Sequence, residues 1–233
     1  MVDRLARLQL ARAAREFAAR ANSSLPGLVL LTDDEHMTNP LASILDLPRG
    51  SLVVLRSRDR AHRIALARPI SRIVRTRGLF WIIADDPALA AKSGAHGAHF
   101  PERKLALAAH WRVRRPDWIL TCAAHSLAAC ARVARIGADA VLLAPVFATL
   151  SHPNRSHIGP LRLRTLANLM DVPIFALGGI DAQSAKQLTG ARLAGLASVG
   201  GLACTERWRR MHSEGDAERT SSTAGRKRPR RSK

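Results

Sequence analysis

Several residues in this 233-residue chain have types and spacings suited to chemistry on an anion. His125 directly follows the small apolar run Thr121-Cys122-Ala123-Ala124. An imidazole titrates near neutrality, so at a strand end it can take up and return a proton; it could equally cap a helix beginning at Ser126. Gly178-Gly179 follows one apolar run, and Ser198-Val199-Gly200-Gly201 ends another. Glycines let the backbone approach a ligand and amides at helix starts point at anions, which makes Gly178, Gly179, Ser198 and Val199 candidates for holding a phosphate. Tight turns would need the same glycines. Arg56 and Arg58 could clamp a diphosphate or carboxylate, or form a solvated pair. Thr149, Ser151 and His152 occupy the loop after a further apolar run. Asp85 is a carboxylate at a strand end and a candidate metal ligand.

The elements that must position these groups follow a simple rhythm. Apolar runs at 28–32, 52–56, 79–84, 97–100, 118–122, 140–144, 173–177 and 195–199 read as buried strands. Helical segments fit between them at 40–47, 60–77, 87–91, 103–111, 126–136, 161–170 and 182–188, with Asn39 capping the first ahead of Pro40. Eight such units in alternation predict an α/β fold of the closed (β/α)8 TIM barrel type, in which the active face lies at the carboxyl ends of the strands. An open doubly wound sheet is the alternative, but no Gly-x-Gly-x-x-Gly follows the first strand. Residues 2–22 carry neither Gly nor Pro and predict an extra helix, although their arginine-rich character also resembles a transit peptide. Residues 213–233 are rich in Ser, Gly, Arg and Lys and predict a disordered basic tail. The expected organisation is a helix over 1–24, a barrel over 25–206 and a tail over 207–233.

Composition narrows the function classes. The formal net charge of +19 attracts anions in general, including nucleic acid, acidic lipid and phosphorylated metabolites. Cys122, Cys130 and Cys204 show neither paired spacing nor a companion histidine cluster, so no disulfide framework or zinc site is expected, and a reduced cytoplasm is the natural setting. No apolar run reaches the roughly 18 residues needed to span a bilayer, and no membrane partner is expected. A homo-oligomer pairing through barrel helices is compatible with the sequence.

The run Gly137-Ala-Asp-Ala-Val-Leu-Leu-Ala-Pro-Val-Phe-Ala-Thr149 resembles the segment of the thiamine-phosphate synthase/TenI superfamily that reads Gly-Ala-Asp-Tyr-Val…Gly-Pro-[Ile/Val]-Phe-x-Thr-x-[Thr/Ser]-Lys. Arg56 and Arg58 are similar to its Arg-x-Lys, Ala84-Asp85-Asp86 to its Asn-Asp-Arg, and Cys122-Ala123-Ala124-His125-Ser126 to its Val-Ser-Val-His-Ser. Residues 97–104 resemble its Gly-Val-His-Leu-Gly-Gln-Glu-Asp, and the likeness covers about 28–202. The resemblance implies a thiazole phosphate on the glycine loops and a pyrimidine diphosphate held with Mg2+ in the synthases. It also implies that His125 is the acid/base in the TenI branch of thiazole tautomerases.

At four positions that serve the diphosphate or the metal in the resembling family, this chain has Ala84, Lys104, Ala123 and His152, with Glu102 the nearby acid that could substitute. A leaving diphosphate demands preorganised counter-charge, so these changes favour a metal-independent tautomerase with no cofactor, Arg56 meeting the substrate carboxylate. The alternative is a Mg2+-dependent thiamine-phosphate synthase. A third reading is a catalytically lapsed barrel whose tail binds nucleic acid nonspecifically or an acidic partner.

Overall fold

The structure, a computed structural model, describes residues 4–149 and 156–203. Eight strands, β1 (Leu28–Leu31), β2 (Leu52–Leu55), β3 (Phe80–Ala84), β4 (Gly97–Phe100), β5 (Ile119–Ala124), β6 (Ala140–Leu143), β7 (Ile174–Ala176) and β8 (Gly195–Ser198), form a closed parallel barrel in sequence order. Closure is made where Leu28 of β1 pairs with Leu196 of β8.

The strands are apolar on both faces because each face meets a packed layer. Val29, Leu31, Leu52, Val54, Ile82, Leu142 and Phe175 fill the interior. Their neighbours Leu28, Leu30, Val53, Leu55, Ile83 and Leu143 pack outward, and this period of two is that of a strand. The outer helices are α1 (Arg4–Arg20), α2 (Pro40–Leu45), α3 (Arg60–Arg77), α4 (Pro87–Ser93), α5 (Leu105–Arg114), α6 (Leu127–Arg135) and α7 (Pro160–Leu169). The extra helix α1 buries Leu10, Ala14 and Phe17 and lies against β1 and β8.

Several bounds shift by a few residues, among them the helix expected over 103–111, which is Leu105–Arg114 behind a 3-10 turn, Glu102–Lys104; two departures have a plain local cause. The fifth strand begins and ends later than expected, at Ile119–Ala124, because pairing with β6 continues to Ala124 and Leu143; ladder partners outweigh the weak strand preference of alanine. The segment expected as a helix over 182–188 is a 3-10 turn, Ser184–Leu188. Asp181 Oδ1 accepts from the amides of Gln183 and Ser184, and the Ser184 hydroxyl donates to the Gly179 carbonyl. Such local side-chain bonds compete with a regular helix. The expected basic tail, with Cys204, lies outside the described residues.

Candidate active site at the carboxyl ends of the strands

The glycines after β7 are dictated by the loop after β6. Gly178 and Gly179 adopt φ of 93° and 65°, where a side chain is strained. A Cβ on Gly178 would lie 2.8 Å from Pro145 Cα, and one on Gly179 would lie 2.7 Å from Phe147 Cβ and 2.8 Å from the Ala148 carbonyl oxygen. The Phe147 amide donates to the Gly178 carbonyl at 3.0 Å, locking the two loops together. The Ala144–Pro145 peptide at this junction is cis.

The β7 and β8 loops are joined by Ser198, whose hydroxyl donates to the Ile180 carbonyl at 2.6 Å and accepts from the Gly201 amide at 3.0 Å. Its hydroxyl is therefore engaged within the protein, and an anion here would be met by backbone. Gly179 and Gly200 are exposed, with Gly178 and Val199 half-buried beside them.

His125 is exposed immediately after β5 and reaches across to β6, its Nδ1 2.6 Å from the Ala144 carbonyl oxygen. A carbonyl only accepts, so Nδ1 carries the proton and Nε2 presents a lone pair in the neutral ring. The helix cap is made by Ser126, whose hydroxyl accepts from the Ala129 amide at 3.2 Å. Capping thus does not account for His125.

The β1–β4 side is different in kind. Asp33, after β1, pairs with the Arg56 guanidinium and with His36 Nδ1 at 2.6 Å. Burial acts to raise the Asp33 carboxyl, but the His36 hydrogen bond and the Arg56 charge outweigh it and hold the group below its ordinary range. Arg58 pairs with Glu35, and its amide donates to Asp34 Oδ2 at 2.8 Å. With 82% of its side chain exposed, Arg58 is the solvated partner of a surface pair. Arg56 remains at the mouth, and its charge reaches His99.

His99 occupies an interior position of β4 and is buried, with Nδ1 2.9 Å from Thr121 Oγ1. Burial, and then Arg56, depress its pKa to about 4, against an opposing pull from Asp85. The imidazole is neutral at physiological pH. The thiols behave as core groups: burial pushes Cys122 up to about 12 and Cys130 up to about 11.

Asp85 follows β3 at φ 60°, its amide donating to the His99 carbonyl at 2.9 Å. Lys104 Nζ lies 2.6 Å from Oδ1, outside hydrogen-bonding alignment, and Arg103 Nη2 lies 3.2 Å from Oδ2. Glu102, the acid expected to be able to substitute as a ligand, is committed to Arg132 at 2.6 Å. Asp86 caps α4 through the Leu89 amide and pairs with Arg60 at 3.1 Å. One carboxylate held by two cations does not fit magnesium, which takes several hard oxygens in octahedral array. The other carboxylate-rich group, Asp33, Glu35 and His36, has ligand atoms within 4.8 Å of one another; Arg56 and Arg58 neutralise both its acids.

Thr149 is half-buried in the β6–α7 loop. Ser151 and His152 lie outside the described residues. The fold thus brings His125, Arg56, Asp85, Gly178, Gly179, Ser198 and Val199 to one end of the barrel, while Arg58 lies out in solvent, paired with Glu35. Asp33, Asp34 and the buried His99 are site neighbours that the sequence patterns above do not point to, whereas Lys104 facing Asp85 agrees with its place at a metal position of the resembling family. For Asp33 and Asp34 the strand-end rule itself was the available signal. A shallow polar pocket of about 210 Å3, bordered by Ser23, Asp139 and Arg192, lies at the opposite end and shares none of these groups.

Fold and site together define a (β/α)8 barrel protein whose strand-end face carries His125, Arg56, Asp85 and the glycine loops after β7 and β8. The family model described as thiamine monophosphate synthase (TMP-TENI) matches residues 28–202, and the chain belongs to that family. Thiamine-phosphate synthase of Aromatoleum aromaticum is 32% identical over 189 residues, covering 76% of this chain and 88% of that protein. The enzyme of the same name from Thioalkalivibrio sulfidiphilus is 30% identical over 179 residues, covering 73% and 82%. Among solved structures, thiamine phosphate pyrophosphorylase from Pyrococcus furiosus superposes with a TM-score of 0.64 at 18% identity, covering 80% of this chain and 95% of that one. That last likeness is one of fold.

Proposed function

We propose that this barrel acts in thiamine biosynthesis by binding a thiazole phosphate on the β7 and β8 loops and joining it to a pyrimidine diphosphate. In that reaction the thiazole nitrogen forms a bond to the pyrimidine methylene carbon, and the carbon–oxygen bond to diphosphate breaks, its electron pair leaving with pyrophosphate. The similarity to thiamine-phosphate synthases over most of their length supports this reading above the tautomerase reaction favoured by the substitutions alone. Its structural support is the convergence of the Gly178-Gly179 loop, His125 and Arg56 at one barrel end. In this reading Arg56 attracts the diphosphate and His125, its Nδ1 held by the Ala144 carbonyl, turns Nε2 to the substrate to exchange a hydrogen bond or a proton.

The pairing of Lys104 with Asp85 favours a second reading. A tautomerase moves one proton on a thiazole carboxylate phosphate and needs no metal. Purified protein given both substrates is expected to form thiamine phosphate over many turnovers, followed by chromatography. Failure to do so, together with solvent deuterium incorporation into the thiazole by NMR, would replace synthesis with tautomerisation.

A further inference from the structure

The corner of the mouth above β3 and β4 carries its own cations. Lys104 Nζ is 2.6 Å from Asp85 Oδ1 and Arg103 Nη2 is 3.2 Å from Oδ2. Arg63, buried in the first turn of α3, donates to the carbonyls of Ala84 at 3.0 Å and Ser57 at 3.2 Å. No carboxylate pairs with Arg63 among the described residues. The neighbouring acids are spent elsewhere, Asp86 on Arg60 and Glu102 on Arg132.

The charge balance of this corner is informative. A divalent ion held by two carboxylates sums to zero before substrate arrives. One carboxylate with an ammonium and a guanidinium sums to +1, and Arg63 adds to it. Coulomb attraction for an incoming anion is therefore at least as strong without a metal. Lys104 and Arg103 are 38% and 70% exposed, so both retain donors toward solvent while Asp85 anchors them. The left-handed backbone of Asp85, fixed by its bond to His99, sets where that anchor points. An ammonium on a 3-10 turn, Glu102–Lys104, cannot diffuse away as an ion can.

We propose that Lys104, with Arg103, stands in for the divalent cation, so that the β3–β4 corner is a built-in subsite for a diphosphate group that works without metal. This rests on the reading of the barrel as one that handles phosphorylated substrates at this face. It predicts that the diphosphate is recognised by fixed protein charge, and that affinity falls with salt rather than with chelator.

The test uses the full chain and inorganic pyrophosphate as probe, followed by calorimetry in EDTA and in excess Mg2+, with Mn2+ binding read separately by electron paramagnetic resonance. Wild type is expected to bind pyrophosphate in EDTA within about twofold of its affinity in Mg2+, and to leave Mn2+ free. Lys104→Met should weaken pyrophosphate at least tenfold, whereas Lys104→Arg should stay within about threefold. Lys104→Asp, which returns a second carboxylate beside Asp85, should gain Mn2+ binding. Thermal melts of each variant establish that it is folded.

Stoichiometric Mn2+ binding by wild type, pyrophosphate binding that needs metal, or an unchanged affinity in folded Lys104→Met would overturn the proposal. Thiazole phosphate binding in the same samples separates the two levels. Its retention alongside a failed pyrophosphate result sinks the subsite alone, and its absence in wild type sinks the reading beneath it.

Discussion

After β7 and β8 the mouth is shaped by the path of the backbone, held by the contact of Gly178 and Gly179 with the Pro145–Phe147 segment. After β1 to β4 it is shaped by side chains, in the pairs Asp33–Arg56, Glu35–Arg58, Asp86–Arg60 and Asp85–Lys104. A backbone site depends on chain path and resists change one residue at a time. A side-chain site can be rewired by single substitutions, and the β3–β4 corner departs from the metal-binding pattern of the resembling family through Ala84 and Lys104.

Replacing the proton-handling group gives the largest expected effect. His125→Asn should lower turnover by about 10²–10⁴-fold. Because His125 is exposed, melting should change little, and steady-state rates measured beside a thermal melt separate the two. A rate within threefold of wild type would remove His125 from the chemistry and leave the mouth as a binding surface.

Gly179→Ala attacks the backbone half. The new Cβ meets Phe147 at 2.7 Å at a φ of 65°, so a loss of roughly 3 kcal/mol is expected, together with weakened thiazole phosphate binding. Denaturant melts and calorimetry read the two effects. A neutral result would show that the two loops are not locked together.

The interior His99 gives a pH signature. Its folded pKa of about 4 lies below the ordinary 6.5, so between those values the unfolded chain binds a proton that the folded chain does not. Stability is fully present above pH 6.5 and is lost as pH falls toward 4, by about 3 kcal/mol at most. His99→Asn should flatten that limb in urea melts at pH 7 and 4.5. Arg58→Ala closes the series: an exposed pair contributes less than about 1 kcal/mol, and a larger loss in the same melts would show that the β1–β2 side is more tightly coupled than its exposure suggests.

Much of this protein was legible in the sequence because parallel strands covered on both faces are continuous apolar runs. All eight were placed, with boundaries shifted by a few residues where ladder partners such as Ala124 and Leu143 decided the end. The strand-end rule then put His125, Arg56, Asp85 and the glycines on one face. What it could not supply was the partner of each charge. Arg58 and Arg56 are two residues apart yet go to different acids, and Glu102 goes to Arg132 rather than toward Asp85.

The order of residues by itself determined the barrel and the end at which His125, Arg56, Asp85 and the glycine loops gather, since hydrophobic period and strand ends are local properties of the chain. Only the folded molecule decided which charges cancel and which stay available, because ion pairing depends on separations of a few ångströms between residues such as Lys104 and Asp85 that lie on successive loops.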